Sequence, residues 1–353
     1  MNWRRILLIR SDRLGDMVCA LPAIDALRAA RPDAKIDLLA SPLNAQLAEE
    51  RPSVSEILLD GGEPLPRLIR RLRSRRYDAV FALQSCARTH LIAGLSGARE
   101  RFGYTGKRFH RLLTRTLPGG GPDEAIHETE RNLRLLEAAG VQPSNRIPRL
   151  TLNEQEHAFA EKWLQKRGLE TNAALIGAHP GASDPSRQYP VERFAFAADA
   201  LAKRADGAAL IAFAGPADIA EARRFVEAAA TRAEIAQNMS IREAAALMSR
   251  CRLLFVNASG PMHIAGALNV PLVAVFGPTD PRRWGPVGSV NRVVEPSALN
   301  ENASPRQRRR QTRARRIEDV KAEAVAEAGI SLYEETEGAL DLRCQMLLDR
   351  PHA

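Results

Sequence analysis

Cysteine is scarce in this chain and scattered. The four that occur in 353 residues, Cys19, Cys86, Cys251 and Cys344, form no CxxC pair. Neither a zinc site nor a small disulfide framework is therefore expected, and a reducing compartment is. Long apolar runs are absent too. Nothing approaches the roughly 18 consecutive apolar residues that cross a bilayer. The apolar N-terminal stretch is interrupted by Arg10, Asp12 and Arg13 before an export-signal core can form. A cytoplasmic protein is the expectation. No clustered carboxylate motif demands a metal ion, so no metal and no other cofactor is expected.

What is present is enough apolar residue for two cores: 45% hydrophobic against 26% charged, in a length that suits two domains of about 150 residues each. The formal charge is +9. A surface of that sign attracts phosphates on nucleic acid, anionic lipid or a phosphorylated sugar, and charge alone does not choose among them. Much of the excess lies in Arg67–Arg76, Arg99–Arg115 and Arg306–Arg316, each of which also reads as a solvated face.

Strand-like apolar runs alternate with helical patterns from the start: Ile6–Ile9, a helix over Met17–Ala30, Ile36–Leu39, Ala79–Leu83, and a helix over Thr129–Ala139. Val141–Arg149 reads as a boundary. After a helix over Glu154–Arg167 the alternation restarts at Ala173–Ala178 and continues through helix Val191–Arg204, strand Ala208–Ala214, helices Ala222–Ala230 and Ile241–Ser249, strand Leu253–Val256, helix His263–Leu268 and strand Leu272–Phe276. Such alternation predicts an α/β fold of two successive Rossmann-like, doubly wound domains, 1–150 and 151–300. Residues 301–353 are predicted to be an Arg-rich connector over Asn300–Arg316 and a helical tail. Ligands of such folds bind outside the carboxyl ends of the strands, so the loops there carry the functional reading.

The first of these loops leads into Leu-Gly-Asp. Gly15 permits close approach of the backbone to a ligand, and Asp16 lies at the helix start. A carboxylate there is either a helix cap or a general base that takes the proton of a sugar hydroxyl as a glycosidic bond forms. In the second half, His-Pro-Gly-Ala-Ser offers backbone N–H groups at Gly181, Ala182 and Ser183 for phosphate oxygens, and Arg187 adds a planar fork suited to a diphosphate. Ser259 and Gly260, followed by Pro261 and His263, close the loop before a helix whose N-terminus favours an anion. His263 reads equally as packing. Asp218, or Glu221 one turn on, is a candidate for ribose hydroxyls, with helix capping as the alternative for Asp218.

These stretches resemble glycosyltransferase family 9, the ADP-heptose:lipopolysaccharide heptosyltransferases: Leu14-Gly15-Asp16 followed by Leu21-Pro22 and Arg31-Pro32, the His179-to-Pro190 loop, and Asn257 through Pro281, over about residues 4–290. The resemblance implies a GT-B architecture, two facing Rossmann-like domains with a cleft between them, acceptor bound by the first and nucleotide sugar by the second. It implies transfer of heptose from an ADP-sugar, with inversion, to a phosphorylated or anionic and lipid-linked glycan of the lipopolysaccharide inner core. Asp16 is then the base, Met239 lies near the adenine, and Gln84, Arg88, Arg99 and Arg101, with Lys107, face the acceptor. Three positions depart from the family pattern: Arg187 for a lysine, Tyr189 for a tryptophan, and Ala258 for an aspartate near the donor sugar. A sugar-nucleotide isomerase of the same fold, or a catalytically impaired nucleotide-sugar binder, remains open on these residues. The Arg306–Arg316 stretch suggests a peripheral contact with the inner membrane surface, and no specific nucleic-acid partner is expected.

Overall fold

Ile6, Leu7, Leu8 and Ile9 have no exposed surface, which is the mark of a strand covered on both faces. A parallel sheet sandwiched by helices produces such runs. The computed structural model describes residues 3–118, 126–169, 174–205, 207–296 and 304–348. Ala173, Asn300 and the side chains of Arg306, Arg309, Leu340, Cys344 and Met346 lie outside the described residues. The chain divides into two compact units, one ending at Leu150 and the other beginning at Thr151.

The first unit contains β1 (Arg5–Ile9), β2 (Lys35–Ala40), β3 (Glu56–Leu59), β4 (Ala79–Ala82), β5 (Glu100–Tyr104) and β6 (Arg115–Leu117). All pair in parallel in the order β3-β2-β1-β4-β5-β6. β1 is central, with Ile6 in register with Ile36 on one side and Ala79 on the other. The second unit repeats the design with β7 (Leu175–His179), β8 (Ala209–Phe213), β9 (Ala233–Ala236), β10 (Leu253–Asn257), β11 (Leu272–Val275) and β12 (Asn291–Val294), in the order β12-β11-β10-β7-β8-β9. Strands β3, β5, β6, β9 and β12 were not foreseen. They are three to five residues long, too short to show a period, and each has a charged residue in its first half.

Two boundaries differ from expectation in ways that bear on function. The helix expected from Met17 begins at Leu14, running Leu14–Ala30, so Asp16 sits inside its first turn. The helix expected over Thr129–Ala139 is Glu128–Glu137, and Gly140 behind it has φ of 75°, the left-handed conformation that commonly ends a helix.

The Arg-rich connector is not irregular throughout. Pro305–Ala314 is a helix, started by a reciprocal cap between Ser304 and Gln307. Beyond it Ile317, Val320, Val325, Leu332 and Tyr333 join the second core with Ile176, Phe194, Leu201 and Val273. The helix Ala322–Leu348 packs on helix Val191–Ala202 and on β10, β11 and β12. At the crossing, a Cβ on Gly329 would stand 2.5 Å from Cζ of Phe255. Gly329→Ala should therefore cost about 1–3 kcal/mol through forced repacking, read as a lower denaturant midpoint at unchanged slope. An unchanged midpoint would mean that the tail is not seated on this core.

Candidate active site

In the first sheet the chain winds away from β1 towards β2 and away from β4 towards β5, so a crevice opens where the carboxyl ends of β1 and β4 lie side by side. Arg10 follows β1 directly and is 1% exposed. A buried guanidinium needs acceptors and counter-charge around its fork. It donates from Nη1 to Leu83 O at 2.9 Å, just past β4, and to Asn132 Oδ1 at 3.3 Å. From Nη2 it donates to Asp16 Oδ1 at 2.6 Å and to Glu128 Oε1 at 3.0 Å. Nε stands 2.9 Å from Asp12 Oδ1 but makes no hydrogen bond, so that contact is electrostatic. Asn44 Nδ2 donates to Asp12 O at 3.0 Å, and Asn132 Nδ2 to Cys19 O at 3.1 Å.

One cation thus faces three carboxylates. Burial pushes Asp16 above the ordinary carboxylate range; Arg10 pulls it back, and the charge of Glu128 adds to the rise. Asp12, half-buried, is pushed up to about 7 by loss of solvent. The N-cap of the Leu14–Ala30 helix is Arg13, and no side chain caps it. Asp16 is therefore not a cap. Its carboxylate is committed through one oxygen to Arg10, and Oδ2 accepts no hydrogen bond among the described residues. A hydroxyl reaching Oδ2 would meet a base of raised proton affinity.

Arg10, Asp12 and Glu128 were not singled out from the sequence. In the Glu128–Glu137 helix, Glu130 and Glu137 pair with Arg146 near the surface, whereas Glu128 and Arg131 are buried at the Arg10 end. Their spacing was the available signal. Glu128, Arg131, Asn132 and Leu135 recur at helical intervals on one face, and all four are buried.

The expected acceptor residues are not all brought together. Gln84 lies at the carboxyl end of β4, where its Oε1 accepts from Ser11 Oγ at 3.3 Å and Thr89 Oγ1 at 3.2 Å. Gly15 is buried beside Asp16. Arg88 is exposed but holds Asp60 with both arms of its fork, at 2.6 and 3.3 Å. Arg99 and Arg101 fall at the start of β5, the opposite end of the sheet, and Arg101 Nε donates to Leu112 O at 2.8 Å. A site shared by Arg88, Arg99, Arg101 and Lys107 is thereby corrected. The residues are close in sequence, but a strand separates their ends. Lys107 follows β5, in the loop Gly106–Leu112, which lines a depression of about 540 Å³.

In the second sheet the switch falls between β7 and β10. Asn257, the last residue of β10, is wholly buried and ties the two ends together. Its Nδ2 donates to Pro180 O at 2.9 Å and Gly181 O at 3.1 Å, and its Oδ1 accepts from Tyr189 N at 3.0 Å. Tyr189 is core, edge-on to Phe194, with its hydroxyl on Val320 O at 3.1 Å. Gly181 is required for a reason other than phosphate approach, since a Cβ there would overlap the Asp218 carboxylate. Asp218 occupies the N-cap of helix Ile219–Ala228 without capping it and stands 3.6 Å from His179 Nε2. His179 is buried, which lowers its basicity. Glu221 takes a 3.4 Å bond from Gln188 on one oxygen, while the other is buried without a partner.

Ser259 precedes helix Gly260–Ala267, which begins three residues before the expected start and carries Pro261 in its first turn. Ser259 Oγ is buried, caps nothing and has no partner among the described residues. Ala182, Ser183 and the half-buried Arg187 lie on the loop above β7, with Arg187 Nε 3.7 Å from Asp184. His263 is buried at 7% exposure, as is Ala258. Met239 is half-buried after β9, between Asn238, with φ of 58°, and the cap Ser240.

Residues 65–315 match the model of glycosyltransferase family 9 (heptosyltransferase). Lipopolysaccharide heptosyltransferase 2 of Escherichia coli K12 is 26% identical over 313 residues, covering 82% of this chain and 87% of that protein. Two solved structures share the fold throughout. A glycosyl transferase family 9 protein of Veillonella parvula superposes with TM-score 0.81 at 25% identity, covering 94% of this chain and 98% of that one. The E. coli ADP-heptose lps heptosyltransferase II does so with TM-score 0.77 at 25% identity, covering 94% and 99%. With two parallel α/β sheets, each presenting buried polar groups at its switch point, and a family match over most of its length, the chain belongs to glycosyltransferase family 9 and is a glycosyltransferase.

Proposed function

We propose that this enzyme moves a heptose from ADP-heptose to a hydroxyl of a lipopolysaccharide inner-core or similar anionic glycan, with inversion at the anomeric carbon and Asp16 as general base. One observation carries the reading: at the β1/β4 switch point Asp16 is buried, held through one oxygen by Arg10 at 2.6 Å, and raised in proton affinity by its surroundings. A sugar hydroxyl is a poor nucleophile until it loses its proton, and a fixed carboxylate of this kind removes it.

The donor belongs to the second unit. The N–H groups that open helix Gly260–Ala267, the unpartnered Ser259 hydroxyl and the guanidinium of Arg187 suit a diphosphate whose charge grows as it leaves. Protein groups then meet that charge without a metal ion. Of the two ribose candidates, Glu221 is favoured by its buried oxygen without a partner, whereas Asp218 packs against the Cα of Gly181 with His179 Nε2 at 3.6 Å. The E. coli relatives, named for lipopolysaccharide and ADP-heptose, support the choice of substrates. Ala258 removes one carboxylate from the donor side and leaves the base in place.

The test is mass spectrometry of products from ADP-, UDP- and GDP-sugars offered with truncated core oligosaccharides. Heptose added only from the ADP donor is expected. Turnover of a nucleotide sugar with no acceptor present would replace this reading with an isomerase.

A further inference from the structure

The buried cluster around Arg10 holds more acid than one structural ion pair needs. Three carboxylates share one guanidinium, while Leu83 O and Asn132 also take bonds from it, so Arg10 is fixed between β1, the end of β4 and the Glu128–Glu137 helix. We infer that Arg10 and Glu128 are positioning residues for Asp16. The guanidinium anchors Oδ1 and leaves Oδ2 to the incoming hydroxyl, and the Glu128 carboxylate competes for the same cation so that it cannot neutralise the base. This rests on the reading of Asp16 as the base.

The chemistry sets the requirement. The acceptor hydroxyl gives its proton to Asp16 Oδ2 as its oxygen forms the bond to the anomeric carbon. The bond from that carbon to the diphosphate oxygen breaks, and its electron pair leaves with the nucleoside diphosphate. A carboxylate paired one-to-one with a buried arginine would be a weak base, because the cation stabilises exactly the charged form that must be given up. Sharing the cation with a second buried carboxylate, Glu128, restores proton affinity while keeping the geometric hold. The other charged or titratable groups that face Asp16 are Arg13 of its own segment, Cys19 one turn along its helix, and Arg131, whose Nε lies 3.8 Å from Glu128 Oε2 and whose guanidinium covers the Tyr104 ring. Arg131 sits on the far carboxylate rather than on Asp16, so it does not supply the missing neutralisation.

Glu128→Gln removes one competing charge and keeps the shape of the side chain. In the full-length protein, with aspartate carboxyl carbons labelled, the Asp16 resonance is assigned by its loss in Asp16→Asn and titrated by NMR. Glu128→Gln should lower that midpoint by about one pH unit, the scale of one screened charge a few ångströms away. The acid limb of kcat for heptose transfer from ADP-heptose to a truncated core oligosaccharide should move down by the same amount, with the plateau reduced roughly threefold and the donor KM unchanged. An unmoved midpoint overturns the inference. So does a midpoint that moves while the acid limb stays, since the cluster then serves the fold alone. Wild-type turnover by Asp16→Asn is a different outcome, and it would remove Asp16 as base whatever the titration shows.

Discussion

Asp16→Asn should lower turnover by about a thousandfold, within the range that loss of a positioned general base produces, while nucleotide affinity measured by calorimetry stays within about twofold. The amide keeps an oxygen to accept from Arg10 Nη2, so the 2.6 Å anchor and the local fold persist; what disappears is the ability to take a proton. Nucleotide binding should be spared because the groups proposed to hold it lie on the second unit, at Arg187, Glu221 and Ser259. The rival view is that Asp16 is one more acid in the first turn of a helix, stabilising the N-terminal dipole. That role is worth about 0.3–1 kcal/mol of stability and nothing in turnover. A variant that melts slightly lower and transfers sugar at the wild-type rate would establish the rival.

Arg10→Met should destabilise the first unit by about 3–5 kcal/mol at neutral pH, the usual result of stripping one partner from a buried ionic group. Methionine fills a similar volume, but Asp16 and Glu128 lose their shared donor and Leu83 O loses its bond. The melting transition of that unit should fall by about 10 °C. The deficit should also depend on pH with a definite sign. Burial raises the Asp12 carboxyl to about 7 and raises Asp16 as well, in both cases against the pull of Arg10. A carboxyl whose folded value lies above its unfolded value of about 4 keeps a proton that the unfolded chain releases, so between those values stability falls as pH rises. For Asp12 in the wild type that decline runs from about pH 4 to 7. Without Arg10 both carboxyls move higher still, so the penalty of the variant is greatest near pH 8 and shrinks towards pH 5. A deficit of equal size at both pH values would mean that lost packing, not uncompensated charge, is the cause.

The same residues show why one part of this site could be read from the chain and another could not. Leu14-Gly15-Asp16 comes within a short loop of the apolar strand β1, and Gly181 and Ser259 stand two residues past β7 and β10; nearness along the chain is enough to put them at strand ends. Glu128 meets Arg10 across 118 residues and Asp60 meets Arg88 across 28. No local pattern announces such pairs, and a charged helix reads as solvated until its partner helix covers it. Arg99 and Arg101 failed in the opposite sense. Near Arg88 in sequence, they stand at the far end of the sheet because the chain runs back to start β5.

Hydrophobic alternation, a property of each segment and its immediate neighbours, determined that there would be two parallel α/β sheets and which loops would lie at their ligand-binding edge. Strand order decided the rest. By setting β1 against β4 and β10 against β7, it brought Arg10 to Leu83, Glu128 and Asp16, brought Asn257 to Gly181, and drew the tail into the second core. Those contacts depend on which buried groups can satisfy one another once water is excluded, and that is settled in three dimensions.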